Sequence, residues 1–146
     1  MIAIIDYDAG NLKSVEKAFL ALGEECVVTR DHDSIRRADR VVLPGVGSFG
    51  TAMQQLKKYE LDQVIREVVQ EDKPFLGICL GLQLLFEGSE ESDGVEGLHL
   101  LDGEIVKIPE APGLKIKSWM KPIFKYFVPA AILFIYIYGM INFQWK

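Results

Sequence analysis

Cysteine and histidine are scarce in this 146-residue chain, which contains two of each. Two cysteines cannot build the dense disulfide framework of small secreted domains, and no cysteine or histidine spacing matches a zinc site. The sequence therefore predicts a reducing, cytoplasmic setting and no bound metal. No basic leader with a short apolar core opens the chain, so we expect Met1–Asp6 to belong to the mature protein.

Acidic residues outnumber basic residues over most of the chain, and residues 118–146 contain no acidic residue. Residues 1–117 hold 13 Lys and Arg against all 21 Asp and Glu, a net charge of −8, whereas residues 118–146 hold three lysines and no acidic residue. An acidic body without a cationic cluster argues against nucleic acid as a partner. The abrupt change predicts two domains, residues 1–116 and a hydrophobic tail, residues 117–146.

Apolar runs alternate with helical patterns in the first domain. Uninterrupted apolar strands separated by helices are typical of a parallel sheet covered on both faces, so we expect an α/β fold. Ala52–Tyr59 and Leu61–Val69 fit one broken helix or two short ones. Further predicted helices are an amphipathic segment around Val15–Leu22 and Cys79–Phe86, and the predicted strands are Ile2–Asp6, Cys26–Thr29, Arg40–Leu43, Pro74–Ile78 and a late Gly103–Ile108.

Three loops follow predicted strands and should meet at one edge of the sheet. They are Asp6–Asn11, Pro44–Gly50 and the turn at Cys79. Ligands of open α/β sheets bind beyond the carboxyl ends of the strands, so this rim is the expected site. Gly88–Gly97, rich in Glu, Ser and Gly, is predicted to be a solvated loop.

Cys79 lies between two glycines, Gly77 and Gly81, directly after a predicted strand. This pattern favours a nucleophile on a tight strand-to-helix turn, where small neighbours allow the backbone and a substrate to approach closely. A helix starting at Leu80 would add N–H donors and a partial positive charge, which favour a thiolate and an oxyanion. The alternative is a cysteine buried at an apolar strand end.

The segment Leu43–Gly50 contains three glycines at G-x-G-x-x-G spacing. It lacks a Walker-type Gly-Lys-Ser/Thr and an acidic residue at a strand end about 20 positions later, so a nucleotide site is poorly supported. A loop of exposed N–H groups facing the Cys79 turn fits better.

Three motifs in this order resemble the class I, or triad, glutamine amidotransferases: Ile5–Val15, Leu43–Gly50 and Gly77–Gln83. The first is similar to one subfamily, the glutaminase subunits of imidazole glycerol phosphate synthase in histidine biosynthesis. The resemblance covers about residues 1–116. It implies a truncated, flavodoxin-like class I amidotransferase domain that needs no cofactor.

The resemblance also implies roles for individual residues. Cys79 would attack the side-chain amide of glutamine, release ammonia and leave a thioester that water hydrolyses. Ammonia would pass to a cyclase partner, a (β/α)₈ barrel bound as a heterodimer. The implied positions are the oxyanion hole at Val46, Gly47 and Leu80, the glutamine contacts Gln83 and Glu91, and the partner interface at Tyr7 and Asn11.

The family's general base, a histidine in a His-x-Glu pair, has no counterpart in this chain. His32 is predicted to be a solvated surface residue, and His99 does not occupy the position of the base. We therefore expect little or no glutaminase activity from the chain alone. A sheet cut short near Lys115 should expose an unpaired edge and part of its core face.

The tail has twenty consecutive uncharged residues, Tyr126–Trp145, enough to span a membrane as a helix. Lys117, Lys121 and Lys125 before it would keep the acidic domain on the cytoplasmic side. A buried core helix or strand pair is the alternative. The tail weakly resembles the end of a sodium-coupled symporter, and either a joined reading frame or a membrane anchor would explain it.

Two other function classes are compatible with the residues. One is a redox-sensing cysteine elbow without triad chemistry, and the other is a membrane-tethered interaction domain anchored by residues 126–145.

Overall fold

The computed structural model describes residues 1–106, which belong to one compact unit, Met1–Lys107. Four parallel strands form a sheet in the order β2-β1-β3-β4, the strand order of flavodoxin-like folds. The predicted α/β fold with a parallel sheet is therefore confirmed. The elements are β1 (Ile2–Ile5), α1 (Leu12–Ala21), β2 (Cys26–Thr29), α2 (His32–Arg37), β3 (Arg40–Gly45), α3 (Phe49–Lys58), α4 (Leu61–Gln70), β4 (Phe75–Cys79), α5 (Leu80–Gln83) and a small parallel pair, β5 (Gly88–Ser89) with β6 (Glu104–Ile105).

The two faces of the sheet are covered unequally. Successive side chains of a strand point to opposite faces, so Ala3 and Ile5 of β1 join the larger core with α2, α3, α4 and α5. Ile2 and Ile4 face the other way, where α1 supplies half-buried apolar side chains and no fully buried one. The larger core therefore holds most of the buried apolar surface of the described residues.

The thinly covered face is most open over β3 and β4. Leu76 of β4 pairs in register with Val42 of β3, yet its side chain is 49% exposed. An apolar groove of about 150 Å³ lies there, between Leu76 and Phe19 of α1. Within residues 1–106 the outer edge of β4 has no partner strand.

The structure differs from the prediction at several boundaries. Strand β3 continues for two residues beyond Leu43, through Pro44 to Gly45. Ala52–Tyr59 and Leu61–Val69 correspond to two separate helices, because Glu60 adopts a left-handed conformation between them. The predicted loop Gly88–Gly97 is solvated only in part, since β5 and Gly97 are buried.

Helix α2 was not predicted, although its start carries a capping signal. The Asp31 carboxylate accepts hydrogen bonds from the backbone N–H of Ser34 at 2.8 Å and from its hydroxyl at 2.7 Å. An aspartate in this position satisfies N–H groups that a helix start leaves unpaired. The short helix then buries Ile35 in the larger core.

No helix within residues 1–106 is long and apolar enough to cross a membrane. The predicted hydrophobic helix, residues 126–145, lies outside the described residues, as does the end of the late strand at residues 107–108. The division into residues 1–116 and 117–146 stays a prediction.

Candidate functional site

Cys79 ends strand β4 and immediately precedes the single helical turn α5. Its backbone has a φ of 54° and a ψ of −118°, a conformation that non-glycine residues rarely adopt, and its side chain is exposed. Holding such a residue costs about 1–3 kcal/mol, and residues of this kind cluster at functional sites. The expected strand-to-helix turn is present, and the alternative of a buried cysteine is excluded by the exposure.

The glycines on either side of Cys79 allow main chains to touch. A Cβ atom on Gly81 would lie 1.9 Å from the carbonyl oxygen of Leu43 in the neighbouring strand, and one on Gly77 would lie 2.6 Å from the Cα of Leu82. Both distances are far below any carbon contact, and the obstructing atoms belong to the backbone. The two glycines therefore let the turn fold back against β3 and against its own helix.

The glycine loop after β3 lies beside Cys79. Gly45 pairs in register with Cys79, so the loop that begins at Val46 leaves the sheet next to the sulfur-bearing residue. A Cβ atom on Gly45 would lie 2.4 Å from the N of Gly81, which shows how closely the two segments approach. Val46 is exposed, and Gly47 has a φ of +98°. Within residues 1–106 the N–H groups of Val46 and Gly47 make no hydrogen bond.

Leu80 begins α5 with its side chain buried. The prediction of a helix over Cys79–Phe86 was too long, because α5 has four residues and Leu84 already follows it as the C-terminal cap. A macrodipole sums over aligned peptide units, so one turn provides little of it. The unpaired N–H groups of a helix start, rather than a long dipole, are what this turn can offer to an anion.

The two predicted glutamine contacts lie on different segments. Gln83 is the last residue of α5 and is half-buried, whereas Glu91 is exposed in the loop after β5. That loop is tied to the glycine loop, because the N–H of Gly50 donates to the Ser92 hydroxyl at 3.0 Å. Sequence reasoning missed this connection, since a serine in a Ser-Glu-Glu-Ser stretch carries no signal of a long-range partner.

The two predicted interface residues differ in exposure. Tyr7 is fully buried, and its hydroxyl donates to the carbonyl oxygen of Pro44 at 2.8 Å, so its side chain offers no surface to a partner. The prediction that Tyr7 and Asn11 lie near a partner interface stays a prediction, in which Tyr7 would act from inside the fold. Asn11 is exposed and caps α1, its side-chain oxygen accepting from the N–H of Ser14.

The loop that holds Tyr7 is clamped to the end of β2. The Arg30 guanidinium lies 2.7 Å from carboxylate oxygens of both Asp6 and Asp8, and it stacks 4.4 Å from the ring centre of Tyr59. The Tyr59 hydroxyl donates to Asp8. Hydrogen bonds from Tyr59 and Arg30 lower the pKa of Asp8. This cluster holds the loop after β1 against β2, which is the edge strand at the other end of the sheet from β4 and Cys79.

Neither histidine is paired with Cys79 within residues 1–106. Nε2 of His32 lies 2.9 Å from the carbonyl oxygen of Tyr59, and the residue is half-buried in α2, so the prediction of a solvated surface histidine was wrong. His99 is exposed with a φ of 51°. The described residues therefore bring an exposed cysteine and a glycine loop together without an imidazole hydrogen-bonded to the sulfur.

The described residues contain no group of three or more His, Cys, Asp or Glu side chains placed to hold a metal ion. A cavity of about 270 Å³ beside β5 is lined by five carboxylates among its residues, Glu87, Glu90, Asp93, Glu96 and Glu104.

An exposed cysteine on a strained strand-to-helix turn, at the carboxyl edge of a parallel sheet, defines a cysteine-elbow α/β protein. Residues 3–122 match the family "Glutamine amidotransferase class-I", and the chain belongs to this family. The resemblance drawn from the three motifs is thereby confirmed.

Individual relatives agree with the family. The imidazole glycerol phosphate synthase subunit HisH of Lactococcus lactis subsp. lactis (strain IL1403) is 49% identical over 118 residues, which are 81% of this chain and 58% of that protein. The subunit of the same name from Bacillus cereus (strain G9842) is 51% identical over 119 residues, 82% of this chain and 57% of that protein. The chain thus spans somewhat more than half the length of these relatives.

A solved structure described as a glutamine amidotransferase shares the fold, with a TM-score of 0.61 and 18% identity over 80% of this chain and 61% of that one. The relatives support the amidotransferase interpretation over the redox-sensing and membrane-tethered alternatives.

Proposed function

We propose that this chain carries the nucleophile and the oxyanion-binding backbone of a glutaminase that serves imidazole glycerol phosphate synthesis in histidine biosynthesis. The observation that carries the proposal is the register pairing of Gly45 with Cys79, which puts an exposed cysteine beside the N–H groups of Val46 and Gly47, neither of which is bonded within residues 1–106. Acyl transfer needs both parts within reach of one carbonyl. The HisH relatives support the choice of substrate and pathway.

Cys79 is the nucleophile in this proposal. Its sulfur forms a bond to the side-chain carbonyl carbon of glutamine and the carbon–nitrogen bond breaks. The amide nitrogen takes up the proton of the thiol and leaves as ammonia. Water then cleaves the thioester, which releases glutamate and restores the thiol. The strained, exposed turn suits this role, because the sulfur projects from the sheet edge rather than into the core.

The oxyanion that forms on the attacked carbonyl is stabilised by the N–H of Leu80 and by the backbone at Val46 and Gly47. Leu80 follows the nucleophile directly, and the loop at Val46 leaves the sheet beside it. Preorganised N–H donors are among the largest contributions to acyl transfer. Gln83 and Glu91 are proposed to hold the glutamine substrate from α5 and from the loop tied to Gly50.

We propose that proton transfer uses a group other than His32 and His99, since neither belongs to a His-x-Glu pair and Nε2 of His32 lies 2.9 Å from the Tyr59 carbonyl oxygen. The 146-residue chain is therefore expected to react once with an electrophilic glutamine analogue but to turn over glutamine slowly or not at all. A cyclase subunit with a (β/α)₈ barrel is the proposed partner and acceptor of ammonia, with Asn11 on the exposed rim as a contact.

The proposal is tested by alkylation with a glutamine-like chloroketone, followed by peptide mapping. Attack by Cys79 forms a sulfur–carbon bond and expels chloride. We expect Cys79 to be labelled at least about tenfold faster than Cys26, because only Cys79 lies beside oxyanion donors. Cys79→Ala should abolish the fast labelling, while Cys26→Ser should preserve it. Equal rates at the two cysteines would contradict an organised glutamine pocket.

A further inference from the structure

The hydroxyl of Tyr7 reaches across the sheet edge to the strand that precedes the glycine loop. Tyr7 follows β1, and its hydroxyl donates to the carbonyl oxygen of Pro44 in β3 at 2.8 Å inside the larger core. Burial raises the pKa of Tyr7 to about 12, so the hydroxyl stays a neutral donor at physiological pH. The bond joins two rim loops that the sequence places 37 residues apart.

Pro44 cannot contribute a backbone N–H to the hydrogen bonding of β3. Proline has no N–H and cannot donate to a neighbouring strand. It is nevertheless the last residue before Gly45, whose register partner is Cys79. The hydrogen bond that its carbonyl oxygen accepts from Tyr7 therefore acts directly at the point where the chain leaves β3.

The loop around Tyr7 also contacts Pro44 by packing. A Cβ atom on Gly10 would lie 3.5 Å from the Cβ of Pro44, an ordinary van der Waals distance, so the backbone of this loop runs against the proline. Arg30 holds the same loop through Asp6 and Asp8. The Tyr7 hydroxyl therefore belongs to a loop that the ion pairs of Arg30 hold in place.

We propose that Tyr7 is a positioning residue for the oxyanion-binding backbone at Val46 and Gly47, acting through the Pro44 carbonyl. This inference rests on the proposed function, because it concerns the same reacting carbonyl. Tyr7 itself touches neither the nucleophile nor the substrate. Its hydroxyl sets the exit of β3, and that exit sets where the loop N–H groups stand relative to Cys79.

The test compares two electrophiles on the intact chain. In both reactions the sulfur displaces a halide from a methylene carbon, but only the glutamine-like chloroketone is expected to be held with its ketone oxygen against the oxyanion donors. Tyr7→Phe is expected to slow chloroketone labelling of Cys79 about tenfold, as a misplacement of around an ångström can, and to change iodoacetamide labelling less than about twofold. A structural loss alone would move both rates together.

Tyr59→Phe is the matched control, since it removes a hydroxyl that bonds Asp8 rather than β3 and leaves both ion pairs from Arg30 to hold the loop. It should change both rates by less than about twofold. Amide hydrogen exchange gives a second readout: Tyr7→Phe should speed exchange in Leu43–Gly45 and not in α4, whereas global loosening would speed both.

If Tyr7→Phe does not fold, 4-aminophenylalanine at position 7 keeps a donor and nearly the same shape. It should hold the ratio of the two rates within about twofold of the wild type, and a tenfold fall would overturn the proposal. If the wild type is labelled selectively at Cys79 and Tyr7→Phe leaves the ratio of the two labelling rates unchanged, the role of Tyr7 is refuted and the proposed function is unaffected. Unselective labelling of the wild type refutes both.

Discussion

Replacing Gly81 by alanine should damage the turn at Cys79 more than any gain in helix preference can offset. The new Cβ would lie 1.9 Å from the Leu43 carbonyl oxygen, whereas carbon–oxygen contacts close at about 3.3 Å. The turn and β3 would have to separate by roughly 1.4 Å at a point where both sides are backbone. Overpacking of this kind typically costs about 1–3 kcal/mol or more.

Alanine is favoured over glycine in a helix by about 1 kcal/mol, which acts in the opposite direction. Because the clash is with backbone on both sides, we expect a cost at the upper end of this range, so that Gly81→Ala lowers the free energy of unfolding by about 2 kcal/mol net. Urea unfolding followed by circular dichroism measures it, and an unchanged slope shows that the same surface unfolds. Gly88→Ala is the matched control, because its Cβ would meet nothing closer than 3.7 Å, and it should shift stability by less than about 1 kcal/mol. A Gly81→Ala protein as stable as the control would refute the steric reasoning.

Two further predictions concern titrating groups. Burial raises the pKa of the half-buried Cys26 thiol, so its labelling by iodoacetamide should increase only at a more alkaline pH than for an ordinary thiol. Cys79, which is exposed, should be labelled first. Mass mapping across a pH series measures both, and a Cys26 that reacted first near neutral pH would contradict the prediction. Hydrogen bonds from Tyr59 and Arg30 lower the pKa of Asp8, so their stabilising effect is present above the usual carboxyl pKa and is lost as the pH falls through the lowered value. Arg30→Ala should raise the midpoint of the Asp8 carboxyl titration by NMR, Arg30→Lys should raise it less, and no movement would contradict the clamp.

The strands were predictable because their apolar runs are continuous and their ends carry turn residues. Cys26–Thr29 was predicted with its observed bounds, and β1 and β4 were predicted to within one residue at each end. The boundary of β3 was missed because Pro44-Gly45 is a turn signal in isolation. In the fold, parallel pairing with β4 holds both residues extended.

The strand-to-helix turn at Cys79 was predictable from local spacing, since a side chain at Gly81 would meet β3 and one at Gly77 would meet the backbone of Leu82. Long-range contacts were not. Nothing in the sequence links Tyr7 to Pro44 or Gly50 to Ser92, because a single hydrogen bond across the fold leaves no periodic pattern. For the same reason, the motif that contains Tyr7 does not show that its side chain is buried against β3.

Protection by substrate tests the central claim most directly. Chloroketone labelling of Cys79 should be slowed by L-glutamine and not by D-glutamine, because we propose that the Val46–Gly47 backbone and the Cys79 turn belong to one stereospecific glutamine site. Equal protection by the two enantiomers, or none by either, would contradict the assignment of this rim to glutamine.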